Sequence, residues 1–216
     1  MPFPSPSPAA LQTLASRAVA RLGLAVAPDP AAKLTRWIQL LHAWNQRIDL
    51  TAARSPEELV DLCVADAAVI ARHAQPGATA VDIGCGAGAP GLPLAILRPD
   101  LRLTLVEPAA KRVAFLRTVV GSLRLDVTVV RERVERLVPP EPRWQLAVSR
   151  ATLEPAAWLD SAIDLTASEA TVAVLLARQD APTNPAAELV QTVDYVWPHT
   201  GVARRLCLYR RAARTA

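Results

Sequence analysis

Apolar residues at helical spacing mark two early helices, Leu11–Leu22 and Ala31–Asn45, the second through Leu34, Trp37, Ile38, Leu41 and Trp44. A third helix opens at Ser55-Pro56-Glu57-Glu58, with Ser as N-cap, Pro at the first helical position and acids in the first turn. It runs to about His73, where Gln75-Pro76-Gly77 stops it. From Thr79 the texture changes to short apolar runs alternating with amphipathic segments. The pattern predicts strands at 80–83, 102–107, 127–131, 144–149 and 171–176, with helices near Pro90 and over 109–123 and 155–165. That alternation implies a parallel sheet with helices on both faces. Near the end, 191–197 and 204–210 alternate polar and apolar residues and predict a closing antiparallel hairpin. The expected division is a disordered Pro/Ser-rich tail over 1–8, a helical extension over 9–75 and a Rossmann-like domain over 76–216.

Composition narrows this little. With 216 residues, 51% of them hydrophobic and 4% aromatic, one α/β domain has enough apolar material for a core. The net charge of +4 is carried almost wholly by Arg, which permits an RNA or other polyanionic partner without demanding one. Cys63, Cys85 and Cys207 form no CxxC pair, so no metal site is expected, and unpaired thiols fit a reducing cytosol. The N-terminus lacks the basic start of a signal peptide and no apolar stretch is long enough for a bilayer, so a soluble cytoplasmic protein, monomeric and without membrane contact, is expected.

The chemistry concentrates in Asp82-Ile83-Gly84-Cys85-Gly86-Ala87-Gly88-Ala89-Pro90-Gly91. A strand ends at Ile83 and a helix begins near Pro90. Gly84, Gly86 and Gly88 let the backbone turn tightly and come close to a ligand, and the N–H groups at the helix start are available to it. Glu107, one βαβ unit later, closes the second strand, where a carboxylate is placed to bind the two ribose hydroxyls of an adenosine. A dinucleotide is the rival ligand. Against it, the turn opens with an acid and reads Asp-x-Gly-x-Gly-x-Gly, which resembles motif I of class I methyltransferases more than a dehydrogenase fingerprint. Other residues have plainer readings: Cys85 as a small core side chain, Trp37 and Trp44 as packing, and His42, His73 and His199 as structural or surface groups.

Several segments together carry a closer resemblance. Gly86-Ala87-Gly88-Ala89-Pro90-Gly91-Leu92-Pro93-Leu94 resembles the Gly-x-Gly-x-Pro-Gly-x-Pro-Leu segment of the GidB/RsmG family, bacterial methyltransferases that modify N7 of a guanine in small-subunit ribosomal RNA. Trp44-Asn45 with Asp49-Leu50-Thr51, Lys111-Arg112 with Phe115-Leu116, Arg133-Val134-Glu135, Ser149-Arg150-Ala151 and the terminal Arg204-Arg205-Leu206-Cys207-Leu208-Tyr209 follow in the family's order. The resemblance implies a class I methyltransferase fold and S-adenosylmethionine as cofactor. It implies that Asp82, Gly84, Gly86, Gly88, Leu92 and Glu107 line the cofactor pocket and that Val134 and Glu135 flank the adenine. Arg150 would stand at the cofactor–substrate junction as the catalytic candidate, and Lys111, Arg112 and Arg117 would contact RNA phosphates. The partner would be ribosomal RNA or the small ribosomal subunit. Three polar positions depart from the family pattern: Asp49 replaces Asn, Leu62-Cys63 replaces Arg-His, and Ala177-Arg178 replaces Lys-Gly. They leave open a paralogue that methylates a small molecule or protein, and a non-catalytic module that binds cofactor or RNA.

Overall fold

The computed structural model describes residues 3, 4, 6–150, 152–177 and 179–212. Seven strands form one sheet: β1 (Thr79–Ile83), β2 (Arg102–Val106), β3 (Val127–Val130), β4 (Trp144–Ser149), β5 (Thr166–Leu176), β6 (Ala187–Val196) and β7 (Ala203–Arg211), in the order β3-β2-β1-β4-β5-β7-β6. The first five are parallel, and β7 inserts antiparallel between β5 and β6. The strand order reverses at β1–β4, so the carboxyl ends of these central strands flank a crevice of the kind in which α/β sheets bind ligands.

Alternation along the strands sorts the core. Ala80, Leu103, Leu105, Leu146 and Val148 face one apolar cluster, while Val81, Ile83, Ala147, Val172 and Val174 face another. The first cluster takes in α1 (Pro8–Arg21), α2 (Pro28–Trp44), α3 (Pro56–Val60), α4 (Asp66–Ala71), α5 (Gly91–Leu97) and α6 (Ala110–Leu123). On the opposite face the packed helix is α7 (Pro155–Leu165), through Trp158, Leu159, Ala162 and Ile163. Trp37 is buried and its Nε1–H donates to Ala87 O at 3.3 Å, which ties α2 to the glycine bend. Trp44 tilts against Phe115 of α6, with ring centroids 5.6 Å apart. No helix among the described residues is long and apolar enough to cross a membrane.

Three elements differ from the sequence pattern for identifiable reasons. Strand β5 begins at Thr166, directly after α7, because a register shift between Trp144 and Leu146 lets the polar stretch before Thr171 join the sheet. A second shift between Leu189 and Gln191 breaks the alternation of β6 and hides its first four residues from a period-two reading. At the N-terminus, within the stretch expected to be disordered, Ser7 Oγ accepts the Ala10 N–H, Pro8 opens α1, and Phe3 packs 4.8 Å from the His42 ring. Met1, Pro2 and Ser5 of that stretch lie outside the described residues.

The helix expected from Ser55 to His73 contains a wide turn of i→i+5 type over Asp61–Ala65, between α3 and α4. That turn brings residues five apart toward one face, and both Asp61 and Asp66 engage the β6–β7 hairpin from it. Asp61 accepts the His199 N–H at 3.1 Å, the Thr200 N–H at 2.8 Å and the Thr200 hydroxyl at 2.9 Å. Replacing Asp61 with Ala strands these donors. The expected loss is about 3 kcal/mol of unfolding free energy, read as a lower urea midpoint at unchanged m-value.

Candidate active site

The bend between β1 and α5 is held from below by two acids. Asp82, fully buried at the end of β1, accepts the Gly91 N–H on Oδ2 at 2.7 Å. Its other oxygen, Oδ1, has no hydrogen-bond partner among the described residues. Burial pushes this carboxyl up to about 7; the Gly91 N–H and the Arg150 charge oppose the rise, and the Glu107 charge adds to it. Glu107 follows β2 and is 2% exposed. Its Oε2 accepts the Gly86 N–H and its Oε1 the Ala109 N–H, each at 2.9 Å. Each oxygen of a carboxylate has two acceptor positions, so both keep one for a ligand.

Above these acids is a cavity of about 560 Å³ whose walls include Gly84, Gly86, Glu107, Arg112, Arg150 and Thr152. That volume suits a nucleoside-sized ligand. A Cβ built on Gly86 would meet nothing closer than Gly84 O at 4.0 Å, so the bare backbone leaves the wall open there. Val134 and Glu135 border a smaller hollow of about 190 Å³, which shares Gly84, Pro108 and Thr152 with the main cavity. Beyond Arg150 lies a third cavity of about 660 Å³, bordered by Asp66, Glu154, Trp197 and Arg204 and sharing Leu62, Arg150 and Thr152 with the first. The Arg204 guanidinium stacks 4.1 Å above the Trp197 ring.

The structure thus brings together Gly84, Gly86, Glu107, Arg112 and Arg150, with Asp82 and Gly88 behind the bend. Leu92 is elsewhere. It is fully buried at the start of α5, where a Cβ on Gly88 would come within 2.3 Å of its Cδ1, so it packs the bend from the core side and does not reach the cavity. Lys111, Arg112 and Arg117 are all exposed on α6, but only Arg112 reaches the cavity, its Nη1 3.9 Å from Glu107 Oε1. Lys111 lines a separate cleft beside Trp44 and Arg47, and Arg117 borders none of these hollows.

Sequence reasoning assigned no role to Leu50, Thr51, Asp66, Thr152, Trp197 or Arg204. Leu50 and Thr51 form a wall of the main cavity because the Asn45 side chain accepts both their N–H groups and donates to Thr51 O. The spacing from Asn45 to Thr51 was the available signal. Thr152 donates to Gly84 O at 3.0 Å and braces the bend from just beyond the neighbouring strand β4. Of the departing positions, Asp49 is exposed and Cys63 is buried, its thiol pushed up to about 12 by burial; neither borders a cavity. Ala151 and Arg178 lie outside the described residues. Cys85 and Cys207 are likewise free and buried.

Known proteins resemble this chain both in sequence and in fold. The family model for GidB, rRNA small subunit methyltransferase G, matches residues 30–195. The ribosomal RNA small subunit methyltransferase G of Sodalis glossinidius (strain morsitans) is 41% identical over 123 residues, 56% of this chain and 59% of the relative. Its counterpart in Anaeromyxobacter sp. (strain Fw109-5) is 35% identical over 166 residues, 76% of this chain and 77% of the relative. The match to the first thus spans less than two thirds of that protein's length. A solved SAM-dependent methyltransferase from Aquifex aeolicus shares the fold with a TM-score of 0.55 at 15% identity, over 71% of this chain and 92% of that one.

Proposed function

The chain belongs to the rRNA small subunit methyltransferase G family, and from that premise we propose that it transfers a methyl group from S-adenosylmethionine to N7 of a guanine in 16S ribosomal RNA. One observation carries the reading: a buried carboxylate, Glu107, anchored beneath the open side of a glycine bend and forming part of a nucleoside-sized cavity. The residues fit this cofactor. Glu107 retains acceptor positions for two ribose hydroxyls, Gly86 leaves room for close approach, and the unpartnered Asp82 Oδ1 belongs to a carboxyl behind the bend whose ionised form a cationic ligand favours. When bound, S-adenosylmethionine supplies an electrophilic methyl group on a positively charged sulfur.

Each part of the site then has a task. Val134 and Glu135 flank the adenine in the smaller hollow, and Leu50 and Thr51 form part of the wall of the main cavity. The target base enters the third cavity and Arg150, shared by both large cavities, binds it at the junction. Guanine N7 carries a free lone pair at neutral pH, so the protein supplies no general base. Its contribution is alignment of nucleophile, methyl and sulfur, and exclusion of water. Arg112, with Lys111 before it and Arg117 farther along α6, contacts RNA phosphates and sets register without reading sequence. The helical extension, residues 9–75, serves the Rossmann-like unit, 76–216, by carrying the Leu50–Thr51 wall.

Labelled S-adenosylmethionine incubated with small ribosomal subunits, total RNA and a metabolite extract tests this. The expected label is in 16S RNA, in a residue that becomes alkali-labile as N7-methylguanine. Label in metabolites alone defeats the proposal. For the cofactor, Glu107→Ala is expected to weaken binding by about 1.5–3 kcal/mol, as for lost hydrogen bonds to a charged group. Calorimetry checks it, and unchanged affinity places the ribose elsewhere.

A further inference from the structure

Two buried aspartates leave the wide turn before α4 and both hold the β6–β7 hairpin, but they do so differently. Asp61 uses both carboxylate oxygens on His199 and Thr200. Asp66, 3% exposed, takes its two hairpin donors on a single oxygen: the Tyr195 hydroxyl at 2.7 Å and the Trp197 Nε1–H at 3.0 Å both reach Oδ1. Its other oxygen, Oδ2, is 3.5 Å from Arg150 Nη1, which also donates to Leu62 O. Among the described residues no other nitrogen of that guanidinium is engaged, although Arg150 borders both large cavities.

We propose that Asp66 is a positioning residue, whose Oδ2, together with Leu62 O, grips one corner of the Arg150 fork so that its remaining donors are presented at the junction of the two cavities. This rests on the reading of Arg150 as the group between methyl donor and target base. A free arginine side chain loses rotamer entropy on being fixed, and a site that fixes it before substrate arrives spares binding that cost. Tyr195 and Trp197 play the supporting part. By occupying Oδ1 they orient the carboxylate plane, so that Oδ2 is the oxygen left for Arg150. Burial and the Asp66 charge push the Tyr195 hydroxyl well above its ordinary range, so it remains a donor at working pH.

The first test needs no turnover. In the cofactor-free full chain, nitrogen-15 NMR of the Arg150 guanidinium is expected to show hindered rotation, with separate Nη signals that merge in Asp66→Asn. A single averaged signal in the unmodified chain overturns the proposal, whether or not the Asn variant folds. The second test uses methyl transfer to small ribosomal subunits. Asp66→Asn is expected to lower kcat at least tenfold while KM for S-adenosylmethionine stays within threefold. The Asp66→Asn/Arg150→Ala double variant is expected to be no slower than Arg150→Ala alone, because both changes remove one action. Losses that multiply overturn the proposal and leave Asp66 as a hairpin anchor like Asp61. An unmodified chain that methylates no ribosomal subunit counts against the proposed function only, since the NMR outcome still decides for or against Asp66.

Discussion

Gly86→Ala is expected to fold and to lose S-adenosylmethionine at least tenfold, whereas Gly88→Ala, two residues on, is expected to lose the fold first. Both glycines have positive φ, +56° and +96°, so an alanine at either is strained. At Gly86 the strain of left-handed backbone is nearly the whole cost to folding, about 1–2 kcal/mol, because its Cβ meets no atom closer than 4.0 Å. That open space is the cavity wall, and there the methyl group stands where the cofactor must approach. At Gly88 a Cβ would come within 2.3 Å of Leu92 Cδ1, 2.7 Å of Leu92 Cγ and 3.0 Å of Leu116 Cδ2. These side chains are fully buried, so they give way only by disturbing the start of α5 against α6. Overpacking added to backbone strain comes to about 3 kcal/mol or more, a large part of the about 5–15 kcal/mol that holds a domain folded. Thermal melts and calorimetry on both variants check the contrast. Equal melting temperatures for the two, or unchanged affinity in Gly86→Ala, would mean the bend faces the other way.

The contrast also marks how far the sequence could be read. The order of strand, glycine turn, helix, strand and acid was legible because each carries a local signature: period-two runs, glycines where φ must be positive, and one βαβ length from Asp82 to Glu107. What local signatures omit is side-chain direction and distant partners. Leu92 adjoins the bend in sequence, yet the first turn of α5 points it inward. Lys111, Arg112 and Arg117 share a helix, but at about 100° per residue they face different ways, and only Arg112 reaches the site. Helical geometry alone would have separated them. Asp66 was beyond reach for another reason: its hairpin partners lie 129 and 131 residues away, and the wide turn that aims it at them has no signature in apolar spacing. The β6–β7 hairpin was recovered with its first strand shortened, since the bulge at Leu189/Gln191 interrupts the alternation that reveals a strand, and the register shift at Trp144/Leu146 shortened β5 in the same way.

Asp82 sets up a pH dependence of opposite sense to that of an ordinary surface carboxylate. Folded, it holds its proton up to about 7; unfolded, it releases it near 3.8. Between those values the folded chain binds more protons than the unfolded one, so the stability contributed by Asp82 is complete below the lower value and is lost as pH rises to the upper. Three pH units at 1.36 kcal/mol each make about 4 kcal/mol. Asp82→Asn keeps an oxygen for the Gly91 N–H and has no proton to lose, so its unfolding free energy, measured in urea, should lack that decline. The difference between the two proteins is expected to grow from pH 4 to pH 7 and then stay level. Asp100, held well below the usual carboxylate range by the Arg98 side chain, slopes the other way but in both proteins alike, and cancels in the difference. The same ionisation links to the ligand. A cation placed over the bend favours the charged carboxylate, so S-adenosylmethionine should bind more tightly as pH rises toward 7 in the unmodified chain, and the Asn variant should lose that component of the slope. Parallel stability curves for the two proteins would mean that Asp82 is ionised when folded without ligand, and that its unpartnered oxygen finds a donor in solution.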